Sequence, residues 1–454
     1  MIKRKVTGRI LYPFGEVLHT MKETKVLILG AGLGGLSTAY YLDKSIPYLI
    51  CEKEDRAGGL CRTFALNGFL FDLTGHLLHL QSDEIAQLLF EQLTIPFLSQ
   101  KRKSAIYIYN KYIAYPFQVN TYGLPAEVIY ECVHEFITNH YKRKKEAPEN
   151  FKDWLLFNFG KGISKHFMFP YNEKLWQYPL SKMTTEWVWS IPQPEIEDVL
   201  KGALGVTDKL YGYNPIFYYP THGGIETLPQ AMASSLSPIM LNYEATSIDY
   251  KNKIVHFANG ETIKYEYLVS TIALKRFLHQ LSNAPRIIYE NADHLKCVKV
   301  INFNIGINKA NVTPYHWIYF PEQDFVFYRI GFSTNYCASI APPKTTSMYI
   351  EISAKEHEKI DLDIAQHQVI EGLLKLGFIS SELDILAVHR AVINPAYVIF
   401  DKKRMRILTK MKRFLSTNHI CTAGRFGNWN YGSMEAALLE GKEIAHQLNK
   451  ILGV

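Results

Sequence analysis

Lys25-Val-Leu-Ile-Leu-Gly-Ala-Gly-Leu-Gly-Gly-Leu-Ser-Thr-Ala-Tyr-Tyr-Leu42 is the stretch that decides the fold. Its first five residues are a short apolar run with the pattern of a buried strand. That run passes directly into Gly30-Ala-Gly32-Leu33-Gly34-Gly35, and the residues after it have helical spacing. The glycines suit a pyrophosphate. Gly30 permits the tight turn, Gly32 lets the backbone approach the phosphates, and Gly35 lets the helix pack on the strand. Phosphates then sit at the positive helix N-terminus, beside Leu33 and Gly34. A second apolar run, Pro47-Tyr-Leu-Ile-Cys51, ends at Glu52, 22 positions after Gly30. A carboxylate at about that offset accepts hydrogen bonds from ribose hydroxyls, and Lys53 follows it. A lone glycine motif would be weak, but strand, turn, helix, strand and acid all fall in register. They predict a dinucleotide-binding βαβ unit.

The continuation, Glu52-Lys-Glu-Asp-Arg-Ala-Gly58-Gly59-Leu60-Cys-Arg62-Thr63, places a paired glycine soon after the acid. It resembles the second signature of the FAD family that contains amine oxidases, protoporphyrinogen oxidases, desaturases and UDP-galactopyranose mutases. Simple NAD dehydrogenases lack this extension, so FAD is the expected dinucleotide. Gly68-Phe-Leu-Phe-Asp-Leu-Thr-Gly75-His76 resembles the strand and turn that approach the isoalloxazine.

Later segments narrow the branch. Tyr115-Pro-Phe117-Gln118 and Phe167-Met-Phe-Pro-Tyr-Asn172-Glu-Lys-Leu-Trp176 resemble blocks of the UDP-galactopyranose mutases. So do Tyr319-Phe-Pro, Phe327-Tyr-Arg329, Asn335-Tyr336 and Ala423-Gly424-Arg425-Phe-Gly-Asn-Trp-Asn-Tyr431, the last preceding a helix at Met434 to Leu448. The resemblance runs from about residue 25 to the C-terminus. It implies an α/β fold: a Rossmann-type FAD-binding domain with a helical insertion and an antiparallel-sheet substrate domain. Motif order puts the flavin domain at 25–104, 220–284 and 385–454, the helical insertion at 105–219 and the β-sheet substrate domain at 285–384. Residues 1–24 form an N-terminal extension. Helix candidates in the insertion are Val128–Tyr141 and Asp153–Phe159.

Composition excludes little. Hydrophobic content of 47% and 20% charged residues describe a globular chain. The basic start is broken by Pro13, Gly15, Glu16 and His19, a poor signal peptide, and no apolar run is long enough for a membrane helix. Six scattered cysteines lack metal spacing and read as reduced thiols, so a cytoplasmic protein without metal is expected. The net charge of +7 is diluted, and Lys142 to Lys145 reads as a solvated helix end rather than a nucleic-acid patch. Whether identical chains assemble is left open.

The resemblance implies ring contraction of a nucleotide-linked sugar of the UDP-galactose type, in the service of cell-surface polysaccharide. Reduced flavin attacks the anomeric carbon through N5 to give a flavin–sugar adduct, and NADPH or NADH reduces it. By the same carry-over Tyr115, Phe117, Gln118, Asn172, Trp176 and Asn214 bind the nucleoside, and Tyr319, Arg329, Tyr336, Tyr397 and Tyr431 surround the diphosphate. Arg329, His76 and Arg425 are the catalytic candidates, with Gly75, Gly424, Ser433 and Met434 at the flavin. An arginine suits phosphate because its planar fork binds two oxygens at once.

One departure stands out. The mutases clamp the diphosphate with two arginines, one from the insertion, yet no arginine occurs between Arg143 and Arg276. Lys182 or Lys201 would lack the fork, and losing a charge-assisted pair costs about 1.5–3 kcal/mol. The alternatives are a flavin oxidoreductase of the protoporphyrinogen oxidase or amine oxidase type and a non-catalytic flavoprotein. Leu60 replaces the arginine usual in those oxidases, which speaks against the first alternative.

Overall fold

The computed structural model describes residues 22–142, 146, 148–206, 211–212 and 215–454. Most of the 1–24 extension, and Asn214, lie outside them. Lys22–Thr24 begin β1 (Lys22–Leu29), which runs into α1 (Leu33–Tyr41) and β2 (Tyr48–Cys51), as the glycine stretch predicts. β1 is buried along Val26–Leu29 and pairs in parallel with β2 on one side and with Thr262–Ser270 on the other. Ile420–Thr422 joins in parallel beyond Thr262–Ser270. Four strands therefore end at one edge, at Leu29, Cys51, Ser270 and Thr422. The crevice outside the carboxyl ends of a parallel sheet is where such folds bind ligands.

A second seven-stranded sheet has the order Ile385–Val398, Cys297–Ile307, Thr346–Lys355, Arg329–Phe332, Trp317–Tyr319, Ser104–Ile108, Lys111–Ala114. It is antiparallel except where Trp317–Tyr319 meets Ser104–Ile108. This corrects two assignments. Residues 105–114 belong to this sheet rather than to the helical insertion, and 385–398 belong to it rather than to the flavin domain. Ile216–Pro220, at the insertion's expected end, pairs with Phe97–Lys101. Ser104–Ile108, Ile216–Pro220 and Ile385–Val398 each pair with a strand far away in sequence, and such pairing leaves no local mark; Lys111–Ala114 joins the sheet only as a hairpin with Ser104–Ile108.

The insertion is otherwise helical. Ala126–Lys142 and Phe151–Ile163 extend both expected helices, and Phe169–Trp176 and Ile196–Ala203 follow. Glycine sets the packing here. Gly160 has φ +71°, and a Cβ there would lie 2.6 Å from the Glu135 carbonyl oxygen, so the two long helices touch backbone to backbone. A π-helical turn, Ser164–Met168, then rotates Phe167 and Met168 into the site.

Candidate flavin and substrate site

Between the two sheets and the insertion lies a cavity of 1240 Å³. Its first end is made of backbone. Gly30 has φ +102°, and a Cβ there would strike the Thr271 hydroxyl. A Cβ on Gly35 would strike the Gly30 carbonyl, and one on Gly59 would lie 3.2 Å from Gly32 Cα. Leu33, Gly34, Lys53, Gly58 and Leu60 also line this end. α1 starts at Gly32 without a side-chain cap, so its first N–H groups are left for a ligand. Glu52 is buried and fixed: Oε2 accepts the Ala31 N–H at 2.7 Å and Oε1 accepts that of Glu54 at 3.0 Å. These residues fit the dinucleotide that the motif predicts: an uncapped helix, a cradle that any Cβ would fill, and an acid held in place.

The far end is made of side chains. Arg329 donates from Nε and Nη2 to both oxygens of Glu351, at 2.5 and 2.9 Å, leaving Nη1 for a ligand. Glu351 is 1% exposed. It shares a face of Thr346–Lys355 with Tyr349 and Ser347, while Met348, Ile350 and Ile352 on the other face enter the core. Arg425 donates to the Gly432 and Ala396 carbonyls at 3.2 and 3.0 Å and lies over the rings of Tyr431 and Tyr397, 4.7 and 5.2 Å from their centroids. Tyr115 and Tyr319 lie 5.2 Å apart by ring centroids, and Tyr171 stands edge-on to Tyr319 at 5.5 Å. Burial raises the phenols of Tyr115, Tyr319 and Tyr397, so each is a hydrogen-bond donor at neutral pH.

His76 follows Thr74, a non-glycine residue at φ +63°. Its Nδ1 is buried without a partner. Burial, with a contribution from Arg425, lowers the imidazole to about 4, so it is neutral. Gly75, Gly424, Ser433 and Met434 line the wall around it.

Of the expected nucleoside contacts, Tyr115, Gln118 and Asn172 line the cavity. Phe117 does not: it is fully buried and stacks on Phe167 at 5.1 Å. Trp176 does not either, and its Nε1 donates to Asn172 Oδ1 at 3.2 Å, orienting that amide. Tyr336 is 1% exposed among Phe217, Tyr219 and His316, with its hydroxyl on Ser333. All three are aromatic residues in matched blocks, and burial behind the wall makes them its support.

The stretch Met183–Leu200 lines the cavity at Trp187 and from Trp189 to Pro192, without a cation. Lys182 is exposed, and Lys201 pairs with Glu197 at 2.6 Å on the surface, so neither replaces the absent arginine. Each Lys or Arg of the lining other than Arg425 has a carboxylate partner: Lys53 and Arg62 have Glu54, Lys275 has Glu356, Arg276 has Glu244, Arg329 has Glu351. Among the described residues Arg425 is the one lining guanidinium without such a partner.

Sequence reasoning missed Glu351, Tyr349 and Arg404. An acid inside an apolar alternating strand was the available signal for Glu351. Arg404 carried none. It is 5% exposed, donates to the Trp429 carbonyl at 2.6 and 3.0 Å, and pairs with Glu186 of the insertion at 3.2 Å. It thereby ties the insertion to the loop that carries Tyr431. Lys174 acts similarly, donating to the Phe320 and Glu322 carbonyls at 3.1 and 2.7 Å.

The sheet, cradle and cavity together define a flavoprotein of the dinucleotide-binding fold. The family model for flavin containing amine oxidoreductases matches residues 33–376, and the chain belongs to that family. Reduced UDP-galactopyranose mutase superposes with a TM-score of 0.88 at 28% identity, over 95% of this chain and 94% of that one. The chain is accordingly a mutase-like member of this superfamily. A putative protoporphyrinogen oxidase from Exiguobacterium sp. 255-15 superposes with a TM-score of 0.74 over 95% and 100%, but at 14% identity it shares the fold alone. All-trans-retinol 13,14-reductase of Danio rerio is 31% identical over 93 residues, 20% of this chain. 1-Hydroxycarotenoid 3,4-desaturase of Flavobacterium sp. (strain P99-3) is 28% identical over 138 residues, 29% of this chain. The chain spans 15% and 28% of the lengths of these two curated relatives. FAD is the family's cofactor, and the cradle above fits it. No helix of the described residues is long and apolar enough to cross a membrane.

Proposed function

We propose that the protein interconverts the pyranose and furanose forms of a nucleotide-linked sugar of the UDP-galactose type, with NADPH or NADH as reductant and cell-surface polysaccharide as the destination. One observation carries this reading: the insertion brings Tyr115, Gln118 and Asn172 to the same cavity as Arg329 and Arg425, with the FAD cradle at its other end. A small amine or an apolar polyene has no use for that polar set.

Reduced flavin supplies the nucleophile when bound. The chain does the rest. Gln118 and Asn172 hold the base and ribose, and Arg329 Nη1 and Arg425 receive the diphosphate. Neutral donors from Tyr319 and Tyr397 add hydrogen bonds there. Trp187 and the Trp189–Pro192 segment cover the cavity and keep water from the reacting carbon. His76 stays neutral beside the ring.

The second reading, an oxidoreductase, has the names of the short-matching reductase and desaturase in its favour. Titrating the purified yellow protein with UDP and UDP-galactose separates the two. The mutase reading requires UDP to perturb the reduced-flavin spectrum at micromolar concentration, and chromatography to detect the furanose form from reduced enzyme. A protein blind to UDP that instead reduces or desaturates a polyene with turnover would overturn it.

A further inference from the structure

The largest basic stretch of the chain is the Lys402–Thr417 helix, KKRMRILTKMKRFLST. It carries seven Lys and Arg and no acid, and so accounts for the whole formal net charge of +7. The remaining chain is formally neutral. Ile407, Leu408, Met411 and Leu415 bury one face, with Arg404 beside them on Trp429. The outer face presents Lys403, Arg406, Lys410, Lys412 and Arg413 to solvent. None of these five has an ion pair among the described residues. The carboxylates nearby have partners of their own: Glu149 with Lys402, Glu186 with Arg404, Asp401 with the helix's own first turn, and Glu440 with the Gly424 N–H and Asn428, although its charge also acts on Lys412.

Such a helix is about 24 Å long. Its apolar face already serves the core, so it cannot insert into a bilayer. It can lie flat on an anionic one. Phe414 is half-buried, edge-on to Tyr250 at 5.4 Å, so the face lacks an aromatic platform for stacking nucleobases. The turn after Tyr250 adds exposed Lys251 at the same end. A body whose net charge is that of one helix face has a preferred orientation on a flat anionic plane.

We infer that the outer face of the Lys402–Thr417 helix is a docking surface for anionic lipid headgroups, held by charge alone. This inference is independent of the sugar-mutase reading.

The test is co-sedimentation of the FAD-loaded protein with vesicles. Vesicles containing roughly 30 mol% phosphatidylserine should pellet it at about 0.1 M salt, and pure phosphatidylcholine should not. K403Q/R406Q/K410Q/R413Q should weaken partition about fivefold per cation, hence several hundredfold, with unchanged flavin content and melting temperature. K44Q/K344Q/K359Q/K450Q loses the same charge elsewhere and should bind like wild type. Three results would overturn the inference: no pelleting of wild type, equal loss in both quadruple variants, or tighter binding to duplex DNA or RNA than to the vesicles.

Discussion

The two ends of the cavity are built from different material. At the glycine end the wall is main chain: a methyl group on Gly30 or Gly35 would strike a neighbouring atom, and one on Gly59 would lie 3.2 Å from Gly32 Cα. Recognition there uses N–H dipoles and one fixed acid. At the arginine end the wall is Tyr, Arg and Glu from segments scattered along the chain, with Arg329 held by Glu351 and Arg425 by two main-chain carbonyls. A backbone cradle binds whatever carries a pyrophosphate and tolerates little change. A side-chain wall can be re-specified residue by residue. That explains why one cradle serves a family with several chemistries, and why the absent arginine bears on the substrate rather than on the flavin.

Breaking the arginine end should have the largest effect on stability. Glu351→Gln removes one partner of a buried pair and should cost about 3–5 kcal/mol, read as a lowered denaturation midpoint. FAD should stay bound, and UDP should bind more tightly because Arg329 is no longer neutralised. Loss of flavin together with stability would join the two ends and undo the comparison.

A pH series sharpens it. His76 titrates at about 4 in the folded protein and near 6.5 when unfolded. A depressed folded value means its contribution is present above pH 6.5 and falls as pH drops to about 4, by about 3 kcal/mol in all. His76→Asn should abolish that fall in urea denaturation. Burial raises Asp72 to about 6, which works in the opposite direction over the same window, but it is common to both proteins and cancels in their difference.

Breaking the glycine end should show the reverse signature. Gly35→Ala drives a methyl into the Gly30 carbonyl, so about 2 kcal/mol is lost and the protein purifies largely colourless. The smallest effect belongs to Gln118, whose amide donates to the Pro192 carbonyl at 2.8 Å. Gln118→Leu should weaken UDP binding by about 1 kcal/mol, roughly fivefold in Kd, and lower stability by about 1 kcal/mol as the Pro192 carbonyl loses its donor, with flavin unchanged.

How legible each end was in sequence follows from the same difference. The glycine cradle is written in consecutive residues, because a tight turn, a helix start and an acid must follow one another along the chain. The arginine wall was legible in part. Tyr115, Gln118, Asn172, Arg329 and Arg425 stood out through matched blocks. Phe117, Trp176 and Tyr336 stood in the same blocks and fell behind the wall, since a motif does not say which side of a strand or helix faces the ligand. Glu351 and Arg404 act through partners 22 and 25 positions away, and no local pattern announces such a pairing.

By itself, the sequence determined that this chain makes a βαβ unit around a dinucleotide, with helices in the insertion and strands after it. Local rules govern those features: glycine φ angles, period-two and helical spacing, and a carboxylate at a set offset. Only the tertiary structure decided which strands share a sheet, which tyrosines see the cavity, and which lining arginine stands without a carboxylate partner. Those depend on contacts between segments far apart in the chain, where close packing and the neutralisation of buried charge select one arrangement.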